Sequence, residues 1–580
     1  MLKTALGTIL ASIMTANRVQ IVWQLIIGVI LITLRILHKR WQEDDDKLTL
    51  WKLLCLIPPV IAGIHFLIYV RGYLPLLNDY KFIYLAAASS LFLLPFARRE
   101  IGYKVTNILL GLASAACIII TLTFSTFHQY NFTNDSYSKS FHKMIAAMDR
   151  SYVLKEWKDV DFASLEEKYM PMVQEAEKEK SPAKFYDAVK AFGNELHDGH
   201  VGVEYRFDTD KYPLTDNTHE YGLSTVRVDD GQVIAVATSP EVNKLGIEDG
   251  TVITKWDNKP INVAVKENVP DQGQAVERND QFLSYMQVSR TGGETVDVCF
   301  LDKEGKEKTA TLKDLGEEHT FEDAYHTLFR NMQIESEEDI ERYLAENFST
   351  KMLNDKVGYI KLNAMLMSLD SKEDTMGYLT GNHKWAREMF RKKLRDLKAQ
   401  GMESLVIDMR ANGGGLDEIG CALGDLLTTE HVYGQGIGYR KNGKYICTSP
   451  DHSIRGDGEF AYIKAVVLTN LRCVSAGDGT CLYLSKLPNV TLAGITDPNG
   501  SNQATGGSCV LSGGQVEIHY PIQLITNEDG EPNIDTKADR ISRNPVEVRI
   551  PFDEEAAMKI FSEGEDYELD WAIDYLAGQQ

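Results

Sequence analysis

Two residues of the chain have the types and settings that nucleophilic acyl transfer requires. Ser475 lies between an apolar stretch and a predicted helix, so its hydroxyl and the N–H of Ala476 sit near the positive end of that helix. His200, in H-D-G-H-V-G-V, is of the type that takes a proton from a serine hydroxyl, and His197 competes for that role. The simpler interpretations are an N-cap for the serine and hydrogen-bonded surface residues for the histidines.

A third stretch, S-L-V-I-D-M-R-A-N-G-G-G at 404–415, joins an apolar strand to three glycines. Consecutive glycines allow backbone N–H groups to turn toward a developing oxyanion without a Cβ clash, with Gly414 as the predicted donor and Gly415 as the alternative. The alternative is a flexible loop without a ligand. All three stretches adjoin predicted strands, where open α/β sheets place their sites.

The elements that position these stretches alternate between strand and helix. Strands are predicted at 357–362, 404–409, 464–469 and 490–494, and helices near 383–399, near 416–427 and from 475 onward. This alternation indicates an α/β core with much parallel pairing over 355–580.

Two further units precede the core. Apolar residues at helical spacing predict a helical part over 134–205. Short alternating segments over 219–314 resemble a PDZ domain, a fold that takes an extended C-terminal peptide as an added strand. That resemblance implies a carboxylate-binding loop at Tyr221, Gly222 and Leu223, and the alternative is another small β domain. Residues 318–352 are predicted to form an acidic helical insert, solvated and without chemistry.

The N-terminal part differs from the rest in charge and hydropathy. Residues 1–127 hold 12 Lys and Arg against 6 Asp and Glu, a net charge of +6 within an overall −22, which leaves −28 for the remainder. Its apolar stretches predict a membrane anchor of four helices, and buried core helices are the alternative. The predicted spans are 20–37, 51–70, 82–98 and 105–127, and residues 4–17 are a fifth candidate more typical of an interfacial helix.

The distribution of cations orients this anchor. Lys and Arg are concentrated in the first and third loops, so the positive-inside rule predicts a multi-pass cell-membrane protein whose catalytic part is extracytoplasmic. The acidic C-terminal part argues against nucleic acid as a partner. No cysteine or histidine spacing indicates a metal site, and no cofactor is implied. The cysteines are interpreted as small buried residues, with a Cys473–Cys481 disulfide as the alternative.

The motifs together resemble one family. The order D-G-H, PDZ-like domain, L-V-I-D-M-R-x-N-G-G-G and V-L-T-N-x-x-x-x-S-A-G-D is similar to the tail-specific, or C-terminal-processing, serine proteases, which include the tricorn core. The resemblance covers about 135–580 and implies a protease core of the ClpP/crotonase-like type.

The resemblance also implies which residues act. One design in this family uses a lysine in G-x-x-T-x-G-K-G, but the matching stretch at 494–507 has no lysine. The other uses the D-G-H histidine with a distal acid, which implies Ser475 with His200. The acid is expected 55–70 residues past the serine, where the chain offers Asp535, Asp539 and Glu547 in a degraded motif. Of these, Asp535 is chosen as the acid, with Asp539 as the alternative. Asp478, one turn into the helix, is expected to support the loop.

Two hypotheses follow. In the first, the chain is a membrane-anchored serine endopeptidase whose substrates are proteins or peptides with accessible C-termini. In the second, it is a catalytically inactive peptide-binding or sensor protein on the same anchor, since the lysine is missing and the acid motif is degraded. The sequence does not decide the oligomeric state.

Overall fold

The computed structural model describes residues 6, 7, 10 and 18–578, apart from internal gaps. The gaps are 72–76, 97–99, 125–127, 215–218, 317–319, 331–335, 368–375, 378–379 and 381. Most of the candidate membrane segment at 4–17 therefore lies outside the described residues.

The N-terminal part is helical. Its elements are α1 (Arg18–Trp41), α2 (Asp45–Leu54), α3 (Ile57–His65) with a π turn at Phe66–Val70, α4 (Leu77–Ala88) with a 3₁₀ segment at Ser89–Phe96, and α5 (Glu100–Phe124). Three stretches are long and apolar enough to cross a membrane, judged by length and composition: Gln20–Trp41, Asp45–Val70 and Lys104–Thr121, with mean hydropathies of 2.1, 2.3 and 1.8.

The span predicted at 82–98 is represented by a shorter apolar helix, Tyr80–Pro95. The α-helix ends at Ala88 because the chain tightens into the 3₁₀ segment, where the Ser89 hydroxyl donates to the Ala86 carbonyl at 2.6 Å. The Ser90 hydroxyl donates to the Cys55 carbonyl at 2.7 Å, which ties this segment to the preceding helix.

The helical part that follows consists of three helices and two strands of a sheet. They are β1 (His128–Asn131), α6 (Tyr137–Ser151), α7 (Phe162–Glu179), α8 (Pro182–Asn194) and β2 (Gly202–Tyr205). Asp161 and Ser181 cap α7 and α8 through side-chain acceptors, and proline opens α8. The apolar faces of the three helices, including Phe141, Val173 and Phe192, pack in one buried cluster with residues of the sheet described below.

Residues 219–314, called the PDZ-like segment, hold two small sheets. Its elements are β3 (Ser224–Arg227), β4 (Val233–Val236), α9 (Pro240–Asn243), β5 (Ile253–Trp256), β6 (Lys259–Pro260), α10 (Ile261–Asn268), α11 (Glu277–Gln287), β7 (Thr295–Leu301) and β8 (Glu307–Lys313). Strands β3 and β4 pair with each other, and the second sheet has the order β6-β5-β7-β8. Trp256 lies at its buried centre.

The acidic insert is not uniformly solvated, so that expectation is wrong for its first half. It contains α12 (Thr320–Phe329), α13 (Glu337–Glu346) and β9 (Thr350–Met352). Helix α13 has no buried residue, whereas α12 buries one apolar face of Phe321, Ala324, Leu328 and Phe329. The acidic residues of α12 make the insert appear solvated from its composition, although this one face is apolar and buried.

The C-terminal core alternates strands and helices as the sequence predicts. Its elements are β10 (Val357–Lys361), α14 (Lys384–Ala399), β11 (Ser404–Asp408), α15 (Asp417–Leu427), β12 (Val432–Lys441), β13 (Lys444–Ile454), β14 (Lys464–Leu468), α16 (Ala476–Ser485), β15 (Val490–Gly494), β16 (Ala504–Val510), β17 (Val516–Thr526), β18 (Val548–Arg549), α17 (Glu554–Phe561) and α18 (Tyr567–Gly578).

Two sheets organise this core. The first has the order β18-β15-β14-β11-β10-β9 and is parallel except for β9. The second has the order β1-β16-β17-β12-β13, with β2 paired to β17. Strands β11 and β14 are neighbours in register, Asp408 opposite Leu468, so their carboxyl ends bring the glycine run and the serine turn to one edge.

Candidate active site

The serine turn is strained. After β14 the chain turns and enters α16 through Ser475, whose φ of 61° and ψ of −131° are rare for a residue with a side chain. The hydroxyl makes no capping hydrogen bond to the helix, and the side chain is half-buried. The N-cap interpretation therefore lacks its defining bond. Since this strain gives the fold nothing that a relaxed cap would not give, it points to a functional serine.

The glycine run lies directly against this serine. A Cβ added to Gly414 would stand 2.6 Å from the Cβ of Ser475 and 3.2 Å from the backbone nitrogen of Ala476. Its φ of 85° also belongs to the left-handed region that favours glycine. Only glycine fits here. The glycine run and the serine turn, 61 positions apart in the sequence, are thus in contact.

The amides near the serine differ in their availability. The Gly414 N–H donates to Asn412 Oδ1 at 2.9 Å. Among the described residues, neither the Gly415 N–H nor the Ala476 N–H has a hydrogen-bond partner. The predicted oxyanion donor, Gly414, thus already uses its N–H on Asn412, and the alternative, Gly415, is the glycine with a free amide.

Asn412 fixes the distance between the glycine run and the serine turn. The residue is fully buried, its Nδ2 donates to the Leu362 carbonyl at 2.7 Å, and its own carbonyl accepts from the Val474 N–H at 3.0 Å. Leu362 follows β10 and Val474 follows β14, so Asn412, which follows β11, ties together the carboxyl ends of three neighbouring strands.

The Asp408–Arg410 pair of the D-M-R motif lies beneath the site and serves the scaffold. Arg410 Nη2 donates to Asp408 Oδ2 at 2.8 Å, and Nη1 lies 2.6 Å from Asp566 and 3.2 Å from Glu568. Coulombic attraction to Arg410 and Lys361, against the cost of burial, holds the pKa of Asp408 well below its usual range. These charges join the strand end to α18.

The D-G-H loop is joined to the serine turn through a residue that sequence reasoning missed, Ser501. Its Oγ accepts from the Gly199 N–H at 2.9 Å, and its carbonyl accepts from the Ser475 N–H at 2.9 Å. His200, the next residue after Gly199, is half-buried, and its Nδ1 is buried with no hydrogen-bond partner among the described residues. The competing His197 is bound through Nε2 to Asp271 at 2.6 Å. His200 is therefore the histidine whose ring has a free nitrogen beside the serine turn.

Among the candidate acids, only Asp535 lies near the histidine loop. Asp535 is fully buried, accepts from the Asn502 N–H at 3.2 Å and from Gln503 Nε2, and makes no bond to His200 in the described structure. Asp539 and Glu547 are exposed, and they accept from the Ile541 and Leu492 backbone N–H groups.

Asp535 belongs to a buried charged cluster behind the histidine loop. The cluster contains Asp198, which accepts from Tyr152 Oη at 2.8 Å and from the His200 N–H at 2.9 Å. Lys158 donates to the His197 carbonyl and to Thr536 Oγ1, both at 2.9 Å. Burial raises the pKa of Asp535, as does the nearby Asp198, while Lys158 lowers it. One cation thus partly offsets two carboxylates directly behind the catalytic candidates.

Asp478 supports the loop that carries Ser501. Its carboxylate accepts from the Gly500 N–H and from Asn544 Nδ2, both at 2.7 Å. Burial raises the pKa of Asp478 to about 7, against the lowering effect of these hydrogen bonds.

The predicted carboxylate loop of the PDZ-like segment is engaged within the chain. Tyr221 and Leu223 are buried in the core of that segment, and the Tyr221 hydroxyl donates to the Gly293 carbonyl at 2.7 Å. The Gly222 N–H donates to the carboxylate of Glu220 at 3.2 Å. A carboxylate therefore does occupy this loop, but it belongs to the protein.

One group of side chains in the described residues has metal-ligand geometry, Glu204, Glu517 and His519, whose ligand atoms lie within 4.8 Å of one another. Arg206 Nη2 lies 2.6 Å from Glu517 and already neutralises that charge. The cysteines that were candidates for a disulfide, Cys473 and Cys481, are free thiols with their Sγ atoms 3.8 Å apart.

A polar cleft of about 980 Å³ separates the helical part from the PDZ-like segment. Its walls include Asn194 and Glu195 on one side and Asp271 and Arg290 on the other. None of Ser475, His200 and Gly414 lines it, so it is distinct from the candidate active site.

Several site residues carried no sequence signal that could be used without a structure. Tyr152 and Lys158 lie in the connection between α6 and α7, and only the fold brings them behind the histidine loop. Ser501 had a weak signal, because it lies in the stretch that replaces the lysine motif.

The strained serine, the adjoining glycine run and the histidine loop therefore lie together in the structure. Residues 356–542 match the family described as Peptidase family S41, and they include Ser475, the glycine run and Ser501. Over this segment the chain matches that family, so the predicted resemblance to its tail-specific proteases and the predicted serine peptidase are both confirmed at the level of the family. A protease has proteins or peptides as substrates. His200 lies outside the matched range.

The fold is similar to several solved structures at low sequence identity. Mature CPAF in complex with lactacystin is 13% identical, with 77% of this chain and 99% of that chain covered and a TM-score of 0.49. The photosystem II D1 C-terminal processing protease is 18% identical, with 74% and 98% covered and a TM-score of 0.31. The tricorn protease is 15% identical, with 77% and 37% covered and a TM-score of 0.33. A search of curated protein sequences gave no match.

Proposed function

We propose that the protein is a membrane-anchored serine endopeptidase of the C-terminal-processing type, with Ser475 as nucleophile and His200 as base. The observation that carries this proposal is the double role of Ser501, which binds the backbone on both sides of the pair. It sets the histidine loop against the serine turn although the two are 275 positions apart in the sequence.

The chemistry follows from the geometry. Ser475 Oγ attacks the carbonyl carbon of the peptide bond while His200 takes the hydroxyl proton. The negative charge that forms on the carbonyl oxygen is stabilised by the free amides of Gly415 and Ala476, each worth about 3 kcal/mol of barrier. When the C–N bond breaks, His200 returns the proton to the leaving amine, and water then hydrolyses the acyl-enzyme by the same route.

The acid acts at a distance in this proposal. Asp535 does not bond His200, so the imidazolium that forms during the reaction is stabilised by the buried charges of Asp535 and Asp198 through space. Asp539 has no part, since its side chain is exposed and bonded locally.

The anchor is proposed to have four spans, with the catalytic part extracytoplasmic. The twelve residues of α4 rise about 18 Å and the eight of the 3₁₀ segment about 16 Å, which together match a hydrocarbon core of about 30 Å. An even number of spans places residues from 128 onward on the side opposite the cationic loops.

One observation favours the second candidate, a catalytically inactive peptide-binding protein. In the described structure His200 Nδ1 has no acid partner. In this alternative the PDZ-like segment binds peptides and the serine turn has no catalytic role.

Labelling with a fluorophosphonate probe separates the two candidates. The purified full chain in detergent is expected to react at Ser475 and to cut an unfolded protein such as reduced casein. Ser475→Ala should abolish both, while Ser485→Ala, a control on the same helix whose hydroxyl bonds only its own helix, should abolish neither. Labelling that persists in Ser475→Ala would disprove the assignment, and absence of labelling in the parent would favour the inactive protein.

A further inference from the structure

The PDZ-like segment has a strand and a helix that together define a peptide groove. Strand β3 follows the Tyr221–Leu223 loop, and α11 lies alongside it, with Thr225 Oγ1 donating to the Tyr285 carbonyl at 2.6 Å. The guanidinium of Arg227 stands 5.1 Å from the Tyr285 ring centre. Within the part of the chain that the structure describes, β3 pairs with β4 alone, so its other edge is the one to which an extended peptide would add.

That edge is covered by the protein itself. Ser224, Thr225 and Val226 are fully buried, although β3 is an edge strand. The apolar face of α12 belongs to the same buried cluster as Val226 and the α11 residues Leu283 and Met286. Helix α12 therefore packs against both the strand and the helix, with Phe329 standing 6.1 Å from the Phe282 ring of α11.

The carboxylate position of the loop is occupied by Glu220, which at the same time binds the N-terminus of α12. The Glu220 carboxylate accepts from the Gly222 N–H in the loop and, at the same time, from Thr320 Oγ1 and the Phe321 N–H, the first residues of α12. Arg290 adds a second latch, since it lies 3.2 Å from Glu322 and its guanidinium stands 5.0 Å from the Phe321 ring. A carboxylate and apolar side chains, the two features of a bound C-terminus, are both supplied in cis.

The C-terminus of α12 contacts the catalytic edge. Asn470 Nδ2 donates to the Phe329 carbonyl at 2.7 Å, and Asn470 Oδ1 accepts from the Ala411 N–H at 3.0 Å and the Arg472 N–H at 3.1 Å. Ala411 precedes the glycine run and Arg472 precedes Ser475. The occupant of the groove is thus one hydrogen-bonded residue away from both catalytic loops.

We propose that α12 is the resident occupant of the PDZ-like groove and that a protein C-terminus binds there only by displacing it, which releases Phe329 from Asn470. The proposal rests on the proposed function for the identity of the substrate and assigns to α12 the control of access. The ligand of this groove would be a chain end with a free carboxylate and apolar side chains just before it, the features that Glu220 and α12 now imitate.

Binding is measured on the full chain in detergent in a Ser475→Ala background, so that catalysis cannot affect the result. The probe is a fluorescein-labelled decapeptide ending in Leu-Ala-Ala, with a free or an amidated C-terminus, followed by fluorescence anisotropy. The opened variant is Glu220→Ala with Phe321→Ala, and the control is Asp323→Ala, which removes an exposed charge from the same helix.

The opened variant is expected to bind the free-carboxylate peptide at least tenfold more tightly than the parent and the Asp323→Ala control. Equal affinity in opened variant and parent, equal binding of the amidated peptide, or no binding by either protein would overturn the proposal. The parent provides a test that does not depend on folding of the variant. Saturating free-carboxylate peptide should raise hydrogen exchange in 320–329 and lower it in 222–227, and unchanged or slower exchange in 320–329 would contradict displacement.

Discussion

Removal of one hydroxyl should separate the histidine loop from the serine turn. In Ser501→Ala the backbone carbonyl still accepts from the Ser475 N–H, whereas the Gly199 N–H loses its acceptor. The substitution therefore frees the residue next to His200 and leaves the nucleophile turn in place.

The size of the effect follows from the bond that is lost. A hydrogen bond of this kind contributes about 1–2 kcal/mol, and that difference corresponds to about a 5- to 30-fold change in an equilibrium. If the bond holds His200 in its productive position, the productive fraction and the reaction rate should fall by this factor. The serine itself remains unchanged.

The second-order rate of fluorophosphonate labelling measures this loss without knowledge of the natural substrate. Ser501→Ala is expected to label about 5- to 30-fold more slowly than the parent, with a melting temperature within a few degrees of it. Ser485→Ala is the matched control and should label at the parental rate. A Ser501→Ala rate within twofold of the parent would refute the role of Ser501 in joining the two loops.

Three further substitutions test other parts of the site. Gly414→Ala should lower peptidase activity by about 100-fold or more, since its Cβ would stand 2.6 Å from that of Ser475, whereas Gly413→Ala, with its nearest neighbour at 3.9 Å, should keep the activity. As pH rises from about 4 to 7, the stability of the parent should fall, because folded Asp478, with a pKa of about 7, keeps a proton that the unfolded chain loses near 3.8. Asp478→Asn should flatten this pH dependence of the melting temperature, and an unchanged slope would contradict the pKa shift. Arg410→Met should lower the free energy of unfolding by about 3–5 kcal/mol in a urea titration, because it removes the buried cation that Asp408, Asp566 and Glu568 share. A loss no larger than the ~1 kcal/mol expected for exposed Arg395→Gln would argue against that role.

The parallel core could be predicted because its signals are local. Strands β11 and β14 are apolar runs that end in glycine or in a turn, and both coincide with their predicted ranges to within one residue. The position of Ser475 before a helix was likewise visible in the sequence. The contact between Gly414 and Ser475 depends only on two parallel strands being neighbours, which the alternation of elements favours.

The remainder depended on contacts between distant parts of the chain. The second sheet collects β1, β2, β16 and β17 from segments that lie more than 300 positions apart, and no local pattern encodes that pairing. Asp535 was chosen by its spacing from the serine, but its hydrogen-bond partners could not be inferred from spacing. The acidic residues of α12 outweighed its four buried apolar side chains in the sequence pattern, so its packing against β3 was not foreseen.

The contact between the N-terminal helices and the sheet limits where this peptidase can reach. Asn131 on β1 donates to the Tyr69 carbonyl at 2.5 Å, and the Tyr69 hydroxyl donates to the Gln129 carbonyl at 3.3 Å. Because β1 is a strand of the second sheet of the core, these two hydrogen bonds hold the core directly against the N-terminal helices. If the proposed topology holds, the height of Ser475 above the bilayer is fixed, and we expect the enzyme to select its cleavage sites by their distance from the membrane.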